Sequence, residues 1–188
     1  MEEDLKAALE VLKKGGVILY PTDTIWGIGC DATNEAAVKR VYEIKQRDDS
    51  KALITLTDNP VAIERIADMP EVAYSVIEAC GEEQPMTIIY DGGRNLAPNL
   101  LAEDGSIGIR VTHEAFSAEL CRRLRRPLVS TSANISGQPS PKSFADITED
   151  VKSQMDYIVK YRQNDNTPHK PSKIIKLKAN GAVTIIRG

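Results

Sequence analysis

Four short segments of this chain hold residue types that can bind an anion or position a reaction on one. Ile44-Lys45-Gln46-Arg47-Asp48-Asp49-Ser50-Lys51 places three cations within seven residues. Arginine offers a planar fork and lysine a point charge, which suits a triphosphate; the same composition also suits a solvated loop. Val129-Ser130-Thr131-Ser132-Ala133-Asn134-Ile135-Ser136-Gly137-Gln138-Pro139-Ser140-Pro141 sets hydroxyls, an amide, a glycine and two prolines behind the apolar run Pro127-Leu128-Val129. A strand that ends in so many polar groups ends at a surface or at a polar ligand, because buried hydroxyls and amides need partners. In Gly105-Ser106-Ile107-Gly108-Ile109-Arg110-Val111 the aliphatics alternate with Gly108 and Arg110. Arg110 therefore points away from the aliphatic face, and a strand arginine needs a partner. That partner is either a structural carboxylate or the carboxylate of a ligand. Tyr20-Pro21-Thr22-Asp23-Thr24-Ile25-Trp26-Gly27-Ile28-Gly29 sets polar side chains at a strand end. This is a common place for ligand groups in α/β folds, and equally a common self-satisfied turn.

Other chemistries find less support. Gly27 and Gly29 do not complete a GxGxxG fingerprint, and the chain has no GxxxxGK[ST] loop. His113 and His169, the only histidines, lack acidic or cysteine neighbours at ligand spacing, so no metal site made of protein ligands alone is expected. Cys30, Cys80 and Cys121 are odd in number and form no CxxC pair. They read as buried thiols of a reducing compartment rather than a disulfide frame.

The elements that must position these segments follow from periodicity. Leu5, Ala8, Leu9 and Leu12 fall at helical spacing before a Gly15-Gly16 stop, and Val17 to Tyr20 reads as a buried strand. Asn34 is a candidate cap for a helix running to Lys45. Strands are expected at Ala52 to Leu56, Met86 to Tyr90, Ile107 to Val111, Leu128 to Ser130 and Tyr157 to Val159. Helices are expected at Val61 to Ala67, Glu71 to Cys80, Glu114 to Leu124 and Asp146 to Met155. Lys173 to Leu177 and Ala182 to Ile186 read as a hairpin around Asn180-Gly181, and Gln163 to Ser172 as a flexible loop. Helices alternate with strands, but the last strands are consecutive. The expected fold is therefore α/β with an open, twisted, mixed sheet flanked by helices.

At 188 residues, 41% hydrophobic and 27% charged, the chain reads as one globular domain, residues 1–188. The net charge is −3, and the Arg122, Arg123, Arg125 and Arg126 cluster reads as a solvated helix face. Neither an apolar leader at Met1-Glu2-Glu3-Asp4 nor a membrane-length apolar run is legible, so the expectation is a cytoplasmic protein away from membranes.

Taken together, YPTDTIWGIGCDA, IKQR followed by Lys51, SIGIRV, STSANISGQPSP and the terminal PSKI and TIIRG closely resemble the YrdC-like threonylcarbamoyl-AMP synthase family. The resemblance extends from about Gly16 to Arg187, and the Lys-x-Arg plus Ser-x-Asn pairing is its most specific element. It implies a YrdC-like fold with a basic concave site, and an enzyme that makes threonylcarbamoyl-AMP and pyrophosphate from L-threonine, bicarbonate or CO₂ and ATP, with Mg²⁺ accompanying the ATP. The product serves formation of threonylcarbamoyladenosine in tRNA, which implies downstream threonylcarbamoyl transferase proteins and, as further partners, tRNA or double-stranded RNA. By position, the resemblance implies threonine-binding roles for Thr22, Arg110, Ser130 and Ser172. It implies nucleotide-binding roles for Lys45, Arg47, Lys51, Ser106, Ser132, Asn134, Ser140 and Arg187, with Lys45 and Arg47 as the catalytic pair.

The chain departs from the family's habit at Glu82-Glu83-Gln84-Pro85-Met86, where a Pro-Gly-Pro start is common, and at Lys173, where threonine is frequent. The alternative is a paralogue that holds RNA or a nucleotide without this synthesis. Retention of both Lys-x-Arg and Ser-x-Asn favours the synthase.

Overall fold

The computed structural model describes residues 1–48, 53–80 and 84–188. Its helices are α1 (Glu2–Lys13), α2 (Glu35–Lys45), α3 (Val72–Cys80), α4 (Ala115–Leu124) and the single turn α5 (Glu149–Lys152). Its strands are β1 (Ile18–Tyr20), β2 (Gly27–Gly29), β3 (Ile54–Thr57), β4 (Met86–Tyr90), β5 (Ile107–Val111), β6 (Leu128–Ser132), β7 (Tyr157–Ile158), β8 (Lys173–Leu177) and β9 (Val183–Arg187). They form one sheet in the order β7-β1-β2-β6-β3-β5-β4-β8-β9. The pairs β1/β7, β3/β5 and β4/β8 are parallel and the remaining neighbours antiparallel, so the sheet is mixed as expected.

Local chemistry explains the main elements. Asn34 caps α2 by accepting from the Ala37 amide, and Val38, Val41 and Ile44 turn one apolar stripe of that helix into the core. The helix stops at Gln46, whose left-handed φ of 49° redirects the chain after Lys45. In β4 and β5 the pleat separates two faces: Ile88, Ile107 and Ile109 are buried in the core, and Thr87, Ile89, Gly108 and Arg110 face the opposite side. The register pairs Ile88 with Ile109 and Ile89 with Gly108, which keeps the two faces aligned across both strands. One contiguous apolar cluster runs from Leu5 on α1 to Leu177 on β8.

Several sequence expectations are corrected. β2 is a true strand, in a segment that reads locally as a turn; Gly29 permits it, because a Cβ there would lie 2.6 Å from the Tyr20 ring and 2.7 Å from the Val129 carbonyl. The helix expected over Val61 to Ala67 is a 3₁₀ segment, Pro60–Arg65, with Asn59 accepting from the Ala62 amide. The expected Asp146 to Met155 helix is reduced to α5 and a preceding 3₁₀ turn, Phe144–Asp146, with which Ser143 and Asp146 form a capping box. The segment after Arg162 has no helix or strand before β8, yet it is tied down: Arg162 pairs with Asp165 at 3.0 Å and lies 3.1 Å from His169 Nε2. Ala52 and the Glu82-Glu83 departure lie outside the described residues. Cys30 and Cys121 are buried, as expected, and burial raises the pKa of both thiols.

Candidate active site

The polar faces of β4, β5 and β8 form the floor of a cavity of about 370 Å³. Thr87, Ile89, Gly108, Arg110 and Ile174 rise from those strands, and Thr24, Ile25 and Gly27 close one side from the β1–β2 connection and β2. Ser130 and Ser132 of β6 line another wall, with Ser140 beyond them. Ser106, Pro171, Ser172, Arg187 and Arg47 complete the rim. The charged residues among these described lining groups are three arginines, Arg47, Arg110 and Arg187, so the cavity is built for an anion.

Each arginine is positioned differently. Arg47 follows the left-handed Gln46, and its amide donates to the Tyr42 carbonyl at 3.0 Å. Burial lowers its pKa. Arg110 is 4% exposed and forms an ion pair with Asp23 at 3.0 Å; its Nε also donates to Asp23 Oδ1 at 3.1 Å, and its Nη2 to Thr24 Oγ1 at 3.3 Å. The structure thus supplies the carboxylate partner that a strand arginine requires. Arg187 donates twice to the Ser172 carbonyl, from Nε at 3.0 Å and Nη2 at 2.6 Å, pinning the last strand to the 171–172 segment. Burial first, and the Arg110 charge second, lower the pKa of Arg187.

Lys45 lies beneath the cavity instead of lining it. It is 2% exposed, and its Nζ donates to the Ser132 carbonyl at 2.7 Å, Ser132 Oγ at 3.2 Å and Asn134 Oδ1 at 2.9 Å. Three acceptors match the three protons of an ammonium. Burial, then the neighbouring Arg47 charge, push its pKa down to about 8. The Ser132 hydroxyl also donates to Asn134 Oδ1 at 2.5 Å, and Asn134 Nδ2 to the Gln138 carbonyl at 2.6 Å. The Ser136 amide returns to the Lys45 carbonyl at 2.8 Å. The Lys-x-Arg and Ser-x-Asn segments are one hydrogen-bonded unit whose outward members are Arg47 and Ser132.

Of the residues singled out from the sequence, Arg47, Ser106, Arg110, Ser130, Ser132, Ser140, Ser172 and Arg187 line the cavity. Thr22 is not among the lining residues: its hydroxyl donates to the Ile25 carbonyl at 2.7 Å, accepts from the Thr24 amide at 3.0 Å and sits 3.1 Å from Thr24 Oγ1. Thr24, two residues on, takes the cavity position. Asn134 turns inward to Lys45, and Lys51 lies outside the described residues. Thr24, Thr87, Gly27 and Gly108 were not singled out as site residues; the alternation in Met86-Thr87-Ile88-Ile89-Tyr90 was the available signal for Thr87. The Thr87 and Ser172 hydroxyls meet at 2.8 Å on the cavity wall.

Comparison with known proteins places the chain among relatives of the same fold. A Sua5/YciO/YrdC family model, described as "Telomere recombination", matches residues 10–188. The chain is 34% identical to a threonylcarbamoyl-AMP synthase of Pseudoalteromonas translucida over 97% of each chain. It is 36% identical to a putative threonylcarbamoyl-AMP synthase of Methanocaldococcus jannaschii, over 100% of this chain and 88% of that one. It also superposes on P. abyssi Sua5 complexed with L-threonine with a TM-score of 0.83 at 25% identity, over 94% of this chain and 52% of that one, so it spans about half the length of that protein. A cavity walled by arginines and serines, drawn from motifs far apart in sequence, thus sits in a chain that belongs to the Sua5/YciO/YrdC family.

Proposed function

We propose that the protein is an L-threonylcarbamoyl-AMP synthase, joining L-threonine, bicarbonate or CO₂ and ATP into threonylcarbamoyl-AMP with release of pyrophosphate. The observation that carries this is the set of three arginines, with no carboxylate among the described lining residues, beside serine and threonine hydroxyls. ATP is polyanionic, and threonine brings a carboxylate and, once carboxylated on its amine, a second negative charge, so their repulsion must be offset before they can react. The threonine ammonium gives up a proton to solvent, and the free amine adds to CO₂ and releases a second proton. A carbamate oxygen then bonds to the α-phosphorus of ATP as the bond to the bridging α–β oxygen breaks and pyrophosphate leaves. No protein nucleophile is needed; held geometry and fixed positive charge lower the barrier.

In this reading Arg110, Ser130 and Ser172 hold the threonine, and Arg47, Ser106, Ser132, Ser140 and Arg187 hold the nucleotide. Lys45 and Asn134 shape the wall between Ser132 and Arg47, and Thr24 takes the place beside threonine that the sequence suggested for Thr22. Among the described residues no group of three or more His, Cys, Asp or Glu side chains could hold a metal ion. The cavity's donor set suits phosphate oxygens, so Mg²⁺ enters this proposal only with the triphosphate. The names of the relatives and the threonine complex of the P. abyssi protein support the same substrate. The product would serve modification of tRNA through a separate transferase.

The test is pyrophosphate release by pure protein with ATP, Mg²⁺ and bicarbonate, with and without L-threonine, and with L-serine for comparison. Threonine-dependent release is expected; its absence overturns the proposal.

A further inference from the structure

Asp23 is the acidic partner of Arg110, and it stands behind the wall, not on it. Its Oδ1 receives both Nε and Nη2 of Arg110, at 3.1 and 3.0 Å. Nη2 also reaches Thr24 Oγ1, whereas Nη1 makes no hydrogen bond among the described residues. Arg110 is 4% exposed, and that exposure faces the cavity.

The loop behind Asp23 is tied by hydrogen bonds on both sides. Thr22 and Thr24 lock the loop through the Thr22 hydroxyl, and Arg162 Nη1 donates to the Thr22 carbonyl at 3.1 Å from the far side. Arg162 is itself held by Asp165 and Glu114, at 3.0 and 3.3 Å. A second guanidinium, Arg187, faces the same cavity closely enough for the Arg110 charge to depress its pKa. Without a fixed anion, mutual repulsion would turn Arg110 away from Arg187.

We propose that Asp23 is a positioning residue for Arg110, clamping the guanidinium by its Nε–Nη2 side so that Nη1 is presented to the carboxylate of an amino-acid substrate. This rests on the synthase reading for the identity of that carboxylate. A carboxylate that arrives at a preoriented guanidinium loses less ordering entropy on binding than one that must first orient it. Clamping and competition have opposite signs. If Asp23 merely occupied Arg110 until substrate arrived, its removal would tighten binding.

The experiment measures L-threonine and Mg²⁺-ATP binding by calorimetry for wild type, Asp23→Ala, Asp23→Asn, Arg110→Ala and the double variant Asp23→Ala/Arg110→Ala. Asp23→Ala should weaken threonine binding about 10- to 100-fold, as a misoriented positioning group does. The near-isosteric Asp23→Asn should weaken it less and keep the fold if the alanine variant does not. ATP binding should stay within about twofold, and the double variant should match Arg110→Ala, because both changes remove one unit. Unchanged or tighter threonine binding in both Asp23 variants, or additive losses in the double variant, overturns the proposal. If wild type binds no threonine, the synthase reading falls, and the clamp is then decided in the ligand-free protein by the Arg110 Nε–H signal in NMR. Slow exchange in wild type, intermediate exchange in Asp23→Asn and fast exchange in Asp23→Ala support the clamp; equal exchange in wild type and Asp23→Ala overturns it.

Discussion

Lys45 Nζ donates to Asn134 Oδ1 at 2.9 Å, joining two motifs that stand 89 residues apart in the chain. The contact makes Lys45 the internal brace of the wall that carries Ser132, while Arg47, two residues on, faces the cavity. Removing the brace leaves the Ser132 carbonyl and Asn134 Oδ1 without a cationic donor. Lys45→Ala should therefore lose about 1.5–3 kcal/mol of stability, the scale of hydrogen bonds to a charged group, although the Asn134 amide still reaches the Ser132 carbonyl and the Ser132 hydroxyl still reaches Asn134 Oδ1. Turnover should fall by about 10²-fold, the scale of a displacement of about 1 Å in groups that position substrate, because Ser132 and Arg47 lose the brace between them. Denaturant midpoints and pyrophosphate release measure the two effects separately.

The pH dependence of the same lysine has opposite signs for stability and activity. Its folded pKa, about 8, is below the unfolded value of 10.5. The unfolded chain therefore holds more protons between those values, and the stability contributed by this group rises with pH through that window. The ammonium that braces Ser132 and Asn134 is lost over the same range. Turnover should fall as pH rises through about 8, while the stability of wild type relative to Lys45→Met increases. Rate profiles and urea melts between neutral and alkaline pH test both signs.

Thr22 and Thr24 separate a structural hydroxyl from a binding one. Thr22→Val strands the Ile25 carbonyl and the Thr24 amide and should cost about 1–2 kcal/mol of stability. Thr24→Val removes the acceptor that Arg110 Nη2 reaches at 3.3 Å and the hydroxyl beside that of Thr22, so it should cost about 0.5–1 kcal/mol of stability, less than Thr22→Val, and weaken threonine binding about tenfold. Thermal melts and calorimetry on the two variants distinguish the roles; the reverse pattern would return the ligand contact to Thr22.

Gly108 keeps the floor open. A Cβ there meets Thr87 Cγ2 at 3.4 Å, ordinary van der Waals contact, so the backbone tolerates a side chain that the ligand does not. Gly108→Val should fold with equal or higher stability, since valine suits a strand, and lose threonine-dependent turnover by at least about tenfold. A melt alongside the pyrophosphate assay checks this.

Arg187 closes the rim by holding the Ser172 carbonyl. Arg187→Ala should weaken ATP binding about 10-fold or more through loss of a charge-assisted phosphate contact, and should also loosen the Thr87–Ser172 wall. Arg187→Lys should recover only part of the loss, because a point charge cannot reproduce the forked contact with Ser172. Nucleotide calorimetry on both variants decides it.

Much of this was legible in the chain alone. Alternation in Ile107-Gly108-Ile109-Arg110-Val111 was enough to turn Arg110 away from the core, and Asn34 with the apolar spacing behind it placed α2. Both are local patterns, set by backbone period and capping chemistry. The helix ends near Val61 and Asp146 were less legible, because the apolar residues there pack in short turns that a helical period also fits. What the sequence by itself determined was part of the cavity lining: Arg47 and Arg187, the serines Ser106, Ser130, Ser132, Ser140 and Ser172, and an arginine, Arg110, turned away from the core on a predictable strand. Only the tertiary structure decided which of them face the cavity. Whether a hydroxyl or an ammonium binds substrate or braces a wall depends on the acceptors that distant segments bring to it: Ile25 for Thr22, Ser132 and Asn134 for Lys45, and Asp23 for Arg110.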